Sequence, residues 1–336
     1  MRDKNPLFLL VVFLPLCDDG YPMIDIYAEI RKRYGNVRRA RGYYLYTEKN
    51  IRLLDLWLDG GKAVLGRRTG QSNLMCKQFF DRGLTGSLPT KADAQLQRAL
   101  AAVLPDYPVI RWYETEDKAA RLIRSLLQKN DREALPVWRP FLGVDYRSAA
   151  ANTDNQAPFV TVPVGGGDIG QAASLHVEAA RHRIVSVTPA YSVPYGIVAA
   201  DSEFKDRLPP SDRLFPPLAY GLARAFFDVQ RKIQVLQAET ALSAGGEGCR
   251  AVPKKRKEAL KRRAEAERFL ATVWTRKSCY LFPHISEAEY PVLFTEALNA
   301  RVLISPEYGT PSILPDCESY TELSKFLQAR TLYEKK

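Results

Sequence analysis

The middle of the chain alternates short apolar runs with segments whose apolar residues recur every three or four positions. "VIRWY" (Val109–Tyr113) reads as a strand. It leads into Ala119, Leu122, Ile123, Leu126 and Leu127, a stripe of 3.6-residue period that predicts a helix over 116–128 capped by Thr115. Upstream, Thr90 precedes a predicted helix over 91–104, striped by Leu96, Leu100, Val103 and Leu104 and stopped by Pro105. Strands are expected at 158–164 and 184–188, with a helix at 171–182 between them. A proline-rich passage then enters a long helix. The tail predicts a helix around 287–298, a strand at 301–304 and a last helix near 319–330. Near the start, 43–47 and 51–58 form a hairpin about Glu48-Lys49-Asn50. Its second strand sets Leu54, Leu56 and Leu58 on one face, and Ile51, Leu53, Asp55 and Trp57 on the other. Strands alternating with helices predict an α/β protein whose large domain holds a mostly parallel, helix-covered sheet. The hairpin and the mixed tail predict a small α/β domain built from both chain ends.

Composition narrows this picture. The chain has 336 residues, 46% of them hydrophobic, enough for about two domains. The net charge of +11 is concentrated: between Arg250 and Arg268 nine basic residues face three glutamates. That segment predicts a basic helix over 252–268. It is either a solvated face or a site for an anionic partner such as nucleic acid or lipid. Five scattered cysteines without a CxxC, and three dispersed histidines, give neither a disulfide framework nor a zinc site. His176 and His182 stand six apart, off the spacing of a ligand pair. The first residues, "MRDKNPLFLLVVFLPLCDDG", are too short to span a bilayer. They resemble a secretory or lipoprotein signal with Cys17 as acceptor, although Leu16 stands where a small residue is wanted. A buried element, or a start at Met23, explains them equally.

The order of several short motifs carries a resemblance. Tyr44-Leu45-Tyr46, then Arg52 to Asp55, Gly60-Gly61 and Leu65-Gly66-Arg67 come first. Gly86 to Pro89, the helix from Gln95 to Pro105 and the strand–helix unit Val109–Leu127 follow, and Arg301–Pro306 and Pro311–Leu327 stand in the tail. In this order they resemble fold-type-I, pyridoxal-phosphate-dependent aminotransferases, nearest to class III. The resemblance covers roughly half the chain. It implies a homodimer with sites built across the subunit interface, and pyridoxal phosphate as cofactor. It divides the chain into a small-domain part at 23–90, a reduced large domain at 91–240, a linker and basic helix at 241–269, and a second small-domain part at 270–336. Residues 1–22 stand apart.

The resemblance also implies chemistry that these residues do not repeat. The cofactor phosphate is expected at the start of helix 116–128, on a turn rich in glycine and hydroxyl groups. Here the turn is "WYETEDKAAR": Thr115 is of the right type, but Glu114, Glu116 and Asp117 would repel a phosphate. A Schiff base needs a lysine in the large domain. From Asn130 to Arg231 the sequence has only Lys205, flanked by Asp201, Glu203 and Asp206. No aspartate lies in an apolar strand to meet the pyridine nitrogen. The place for a substrate-carboxylate arginine reads Pro311-Ser312-Ile313-Leu314. Separately, "VPVGGGDIGQAA" satisfies G-x-G-x-x-G through Gly165, Gly167 and Gly170, between a predicted strand and helix, without the confirming acid after the next strand. The sequence therefore predicts an aminotransferase-like binding or regulatory protein in the cytoplasm, with no cofactor. The alternatives are an active pyridoxal-phosphate transferase, a nucleotide- or phosphate-binding enzyme using 165–170, and an exported, lipid-anchored binding protein.

Overall fold

The computed structural model describes residues 24–68, 70–86, 88–130, 133–142, 159–160, 182–244, 269–315 and 320–333. Residues 1–22 with Cys17, the glycine run with Gly165, Gly167 and Gly170, His176, and the basic segment 252–268 lie outside them.

The described elements fall into two groups; Tyr280, Phe282 and Ile313 of the second join the core of the first. The larger contains α2 (Ser72–Asp81), α3 (Ala92–Val103), β4 (Val109–Tyr113), α4 (Glu116–Leu127), β5 (Val137–Trp138), β6 (Phe159–Val160), β7 (Ile184–Val187), β8 (Gly196–Ala200) and α5 (Pro216–Ala244). Its sheet has the order β4-β8-β7-β5-β6. Side chains alternate across it. Ile110, Trp112, Val185, Val187, Ile197 and Ala199 face α3 and α5. Val109, Tyr113, Ile184, Val198 and Ala200 face Ala119 and Ile123 of α4. With both faces covered, the central strands are apolar throughout.

Within this sheet the expected parallel pairing is confined, among the described residues, to β5 and β7. β4, β7 and β5 share a direction, while β8 runs against β4 and β7 and β6 against β5. The connection Thr188–Tyr195 is shorter than the dozen or so residues a parallel crossover needs, so β8 returns antiparallel.

The second unit contains α1 (Ile26–Tyr34), β1 (Val37–Arg41), β2 (Tyr44–Thr47), β3 (Arg52–Asp55), β9 (Trp274–Lys277), β10 (Tyr280–Pro283), α6 (Tyr290–Asn299), β11 (Val302–Leu303), β12 (Ser312–Ile313) and α7 (Thr321–Tyr333). One sheet has the order β1-β2-β3-β11, the other β12-β10-β9. β11 pairs in parallel with β3, Val302 opposite Leu54 and Leu303 opposite Asp55, so the two ends of the chain share one sheet. Tyr34 Oη donates to the Leu298 carbonyl at 2.6 Å across the same junction.

The hairpin is where expectation and structure separate most. Its second strand stops at Asp55 instead of Leu58, and β1 adds an edge strand before it. Leu53, Leu54, Leu56 and Leu58 are all fully buried, so both sets of leucines lie in the interior. β3 pairs with β2 on one edge and β11 on the other, and its leucines pack in the core that holds Leu270, Trp274 and Leu298.

Candidate functional site at the carboxyl edge of the large sheet

Strand register decides which ends meet. Tyr113 of β4 lies opposite Gly196 of β8, Val187 of β7 opposite Ile197, and Trp138 of β5 opposite Val187. The carboxyl ends of β4, β5 and β7 therefore share one edge with the amino end of β8. Helix α4, Thr115 and the 188–195 connection lie there. Lys205 follows the other end of β8, as the exposed C-cap of the single-turn helix Ser202–Phe204. Five strand residues separate the two edges, roughly 15 Å. Thr115 and Lys205 are thus placed apart.

The start of α4 is already occupied by the chain itself. Thr115 is extended at φ −135°, ψ 150°, and its hydroxyl accepts the Lys118 N–H at 3.1 Å. The Glu116 N–H donates to the Pro194 carbonyl at 3.0 Å. The Glu114 N–H donates to Asp212 Oδ2 at 3.0 Å, and Lys118 Nζ contacts both Asp212 oxygens at 2.7 and 2.8 Å. Burial alone would raise the Asp212 carboxyl, but Lys118 and the Glu114 N–H outweigh it and hold the group below its usual range. The backbone leaves no slack: a Cβ on Gly196 would lie 2.5 Å from Ala119 Cβ and 2.6 Å from the Thr115 carbonyl.

A search of 130–231 for a lysine misses two at this edge. Lys118 is held by Asp212, and Lys62 is ion-paired with Glu116. β5, β7 and β8 carry no acidic residue at all. Around α4, then, the described residues set a carboxylate at the expected anion position, pair both nearby lysines with carboxylates and place no acid on β5, β7 or β8.

The glycine pair after the hairpin serves a different end. Leu58, Asp59, Gly60 and Gly61 are all left-handed, at φ 49°, 57°, 66° and 97°. Such a conformation costs roughly 1–2 kcal/mol for each non-glycine residue. Asp55 sustains it: its Oδ1 accepts the Leu58 N–H at 2.8 Å and its Oδ2 accepts Arg67 Nε at 2.9 Å. Burial pushes the Asp55 carboxyl above its usual range even with Arg67 and the Leu58 N–H pulling it down. Gly61 then touches the large unit. A Cβ there would lie 3.3 Å from Ile313 Cδ1, 3.6 Å from Thr188 Cγ2 and 3.9 Å from Arg139 Nη1. The Pro311–Leu314 segment brings no arginine, but Arg139, from the end of β5, stands beside Ile313 with its guanidinium 6.0 Å from the Tyr280 ring centre.

Beyond this turn lies a cavity of about 260 Å³. The turn contributes Lys62, Arg67 and Arg68, α2 contributes Asn73, the β7–β8 connection Ser192, and α5 Asp228. Tyr191 Oη donates to Asn73 Oδ1 at 2.6 Å, tying two walls together. Burial pushes the Tyr191 phenol well above its usual value, so it stays a neutral donor. Among the described residues no group of three or more His, Cys, Asp or Glu is placed to hold a metal ion, and no helix is long and apolar enough to cross a membrane.

No family model matches the sequence. An uncharacterized protein of Treponema pallidum (strain Nichols) is 35% identical, the match covering 89% of this chain and 95% of that one. An uncharacterized protein of Borreliella burgdorferi is 32% identical over 94 residues, 28% of this chain and 35% of its own. Among solved structures, an ornithine aminotransferase of Toxoplasma gondii superposes with a TM-score of 0.52 at 12% identity, covering 93% of this chain and 96% of that chain. A transaminase with PLP bound gives 0.51 at 12% identity, with 92% and 98% covered. An omega-transaminase of Sphaerobacter thermophilus gives 0.50 at 13% identity, with 93% and 98% covered. The chain belongs to one family with the Treponema pallidum protein, and its fold is that of the aminotransferases.

Proposed function

We propose that this protein is a binding or regulatory protein that keeps the aminotransferase scaffold without pyridoxal-phosphate chemistry. The observation that carries this reading is the start of α4. There the Asp212 carboxylate, the Thr115 hydroxyl and the Pro194 carbonyl take the N–H groups that a phosphate would need. A phosphate entering would meet Asp212, Glu114 and Glu116 and would have to displace the Lys118 ion pair. The lysines support the same reading. A Schiff base requires an amine free to reach the aldehyde. Lys62 and Lys118 each face a carboxylate. Lys205 lies on the other edge of the sheet.

The test is incubation with pyridoxal phosphate, an absorbance scan, borohydride reduction and peptide mapping. The expected result is no visible cofactor band and no uniquely modified lysine. A band with one modified lysine overturns the proposal. Modification at Lys62 or Lys118 would mean that the ion pairs open to admit the cofactor.

A further inference from the structure

We infer that the cavity between the left-handed turn, α2 and α5 is a binding site for a small oxyanion, a carboxylate or phosphate group recognised by Arg68 and Lys62. The inference deepens the binding-protein reading and rests on it. Three cations, Lys62, Arg67 and Arg68, line a space that holds one acid, Asp228. Asp228 is tied to Arg224 through Oδ1 at 3.0 Å, while its Oδ2 is buried without a hydrogen-bond partner. Arg67 is committed to Asp55, and Lys62, which an oxyanion would have to share, is paired with Glu116. Arg68 has no charged or hydrogen-bonding partner among the described residues. It is exposed, and its backbone is held left-handed at φ 59°. A bulky residue in that conformation is uncommon and marks a local constraint, which here carries an unneutralised guanidinium to the rim of the cavity.

Neutral donors complete the site. The Tyr191 hydroxyl occupies Asn73 Oδ1, which leaves the Asn73 amide N–H₂ as a donor, and the Ser192 hydroxyl stands on the same wall. Guanidinium, ammonium, amide and hydroxyl together match an oxyanion rather than a cation or an apolar ligand. At about 260 Å³ the cavity is below the ~300–1,000 Å³ usual for drug-sized ligands, so a small metabolite or a free ion fits and a nucleotide does not.

The experiment is calorimetric titration and thermal unfolding of the full chain with inorganic phosphate and, separately, malonate, each at an ionic strength matched with sodium chloride. At least one probe is expected to bind saturably at a single site and to raise the melting temperature. The Arg68→Asn variant removes the charge and keeps a residue that tolerates left-handed backbone, and it should weaken binding by about tenfold or more. Lys62→Gln should weaken it in the same direction. Arg121→Ala, at an exposed arginine paired with Asp117 on α4, should leave it unchanged. Binding of phosphate alone assigns a phosphoryl ligand, and binding of malonate alone a carboxylate. No protection beyond chloride, or equal binding by Arg68→Asn and Lys62→Gln, overturns the inference. These titrations contain no aldehyde and read no lysine modification, so they fail or succeed separately from the cofactor test.

Discussion

Asp212 is a single carboxylate that binds a backbone N–H and an ammonium group at once, and this makes it the residue on which the α4 start depends. Its folded-state pKa lies below the ordinary value, so its contribution is present above the unfolded pKa of about 3.9 and is lost as pH falls through the lower, folded value. Asp212→Asn should therefore cost about 1 kcal/mol near pH 7, a modest figure because Lys118 is half exposed. The difference between wild type and variant should shrink as pH falls below about 4, where the unfolded chain's carboxyl protonates first and the folded one follows at lower pH. Urea unfolding of both proteins across pH 3–7 measures this. A pH-independent difference would show that the charge is not what matters. Thr115 could be recognised as a cap from sequence because a cap is local. Asp212 could not, because it lies almost a hundred positions from the N–H it accepts.

Among the elements, β8 was the least legible and is the most informative. "GIVAA" has no polar–apolar alternation, sits between Pro194 and Asp201, and carries no predicted element. It is buried on both faces between β4 and β7, which removes the period-2 signal a half-exposed strand would show. Its first residue is also the point where α4 comes closest to the sheet. Gly196→Ala would drive a methyl to within 2.5 Å of Ala119 Cβ, and overpacking of this kind typically costs about 1–3 kcal/mol. Thermal unfolding of Gly196→Ala should show that loss, and pairing it with Ala119→Gly, which removes the opposing methyl, should recover part of it. Full additivity of the two changes would mean that the close approach of α4 and β8 is not the cause.

At the scale of the molecule, the chain ends meet. β3 and β11 are separated by some 250 residues, yet they share hydrogen bonds, and Arg52 reaches Glu322 at 2.5 Å. Leu303 is fully buried in the core that includes Leu53, Leu54 and Leu56. Leu303→Ala should cost about 2–5 kcal/mol, because it empties a site lined by residues from both ends. Denaturant unfolding checks the value. A cost below 1 kcal/mol would mean that the tail does not stabilise the hairpin. The resemblance to aminotransferases rested on motifs at these same ends, which the structure pairs in one sheet.

The sequence by itself determined the α/β class, the helix α4 with its Thr115 cap, the hairpin about Glu48–Asn50, and the shortage of lysine in the large unit. These depend on neighbours within a few turns or on composition, and short-range physics writes them into the residue order. Only the tertiary structure decided the rest. It put Lys205 and Thr115 on opposite edges, because strand direction sets where a residue lies and the turn from β7 to β8 reverses that direction. It brought Lys62 to Glu116 and Arg139 to Gly61, contacts that require two separate units to pack. It also placed Arg68 and Asn73 beside Ser192 around one cavity, where α2 packs on α5 through Phe79 and Tyr220 and is tied to the β7–β8 connection through Asn73 and Tyr191.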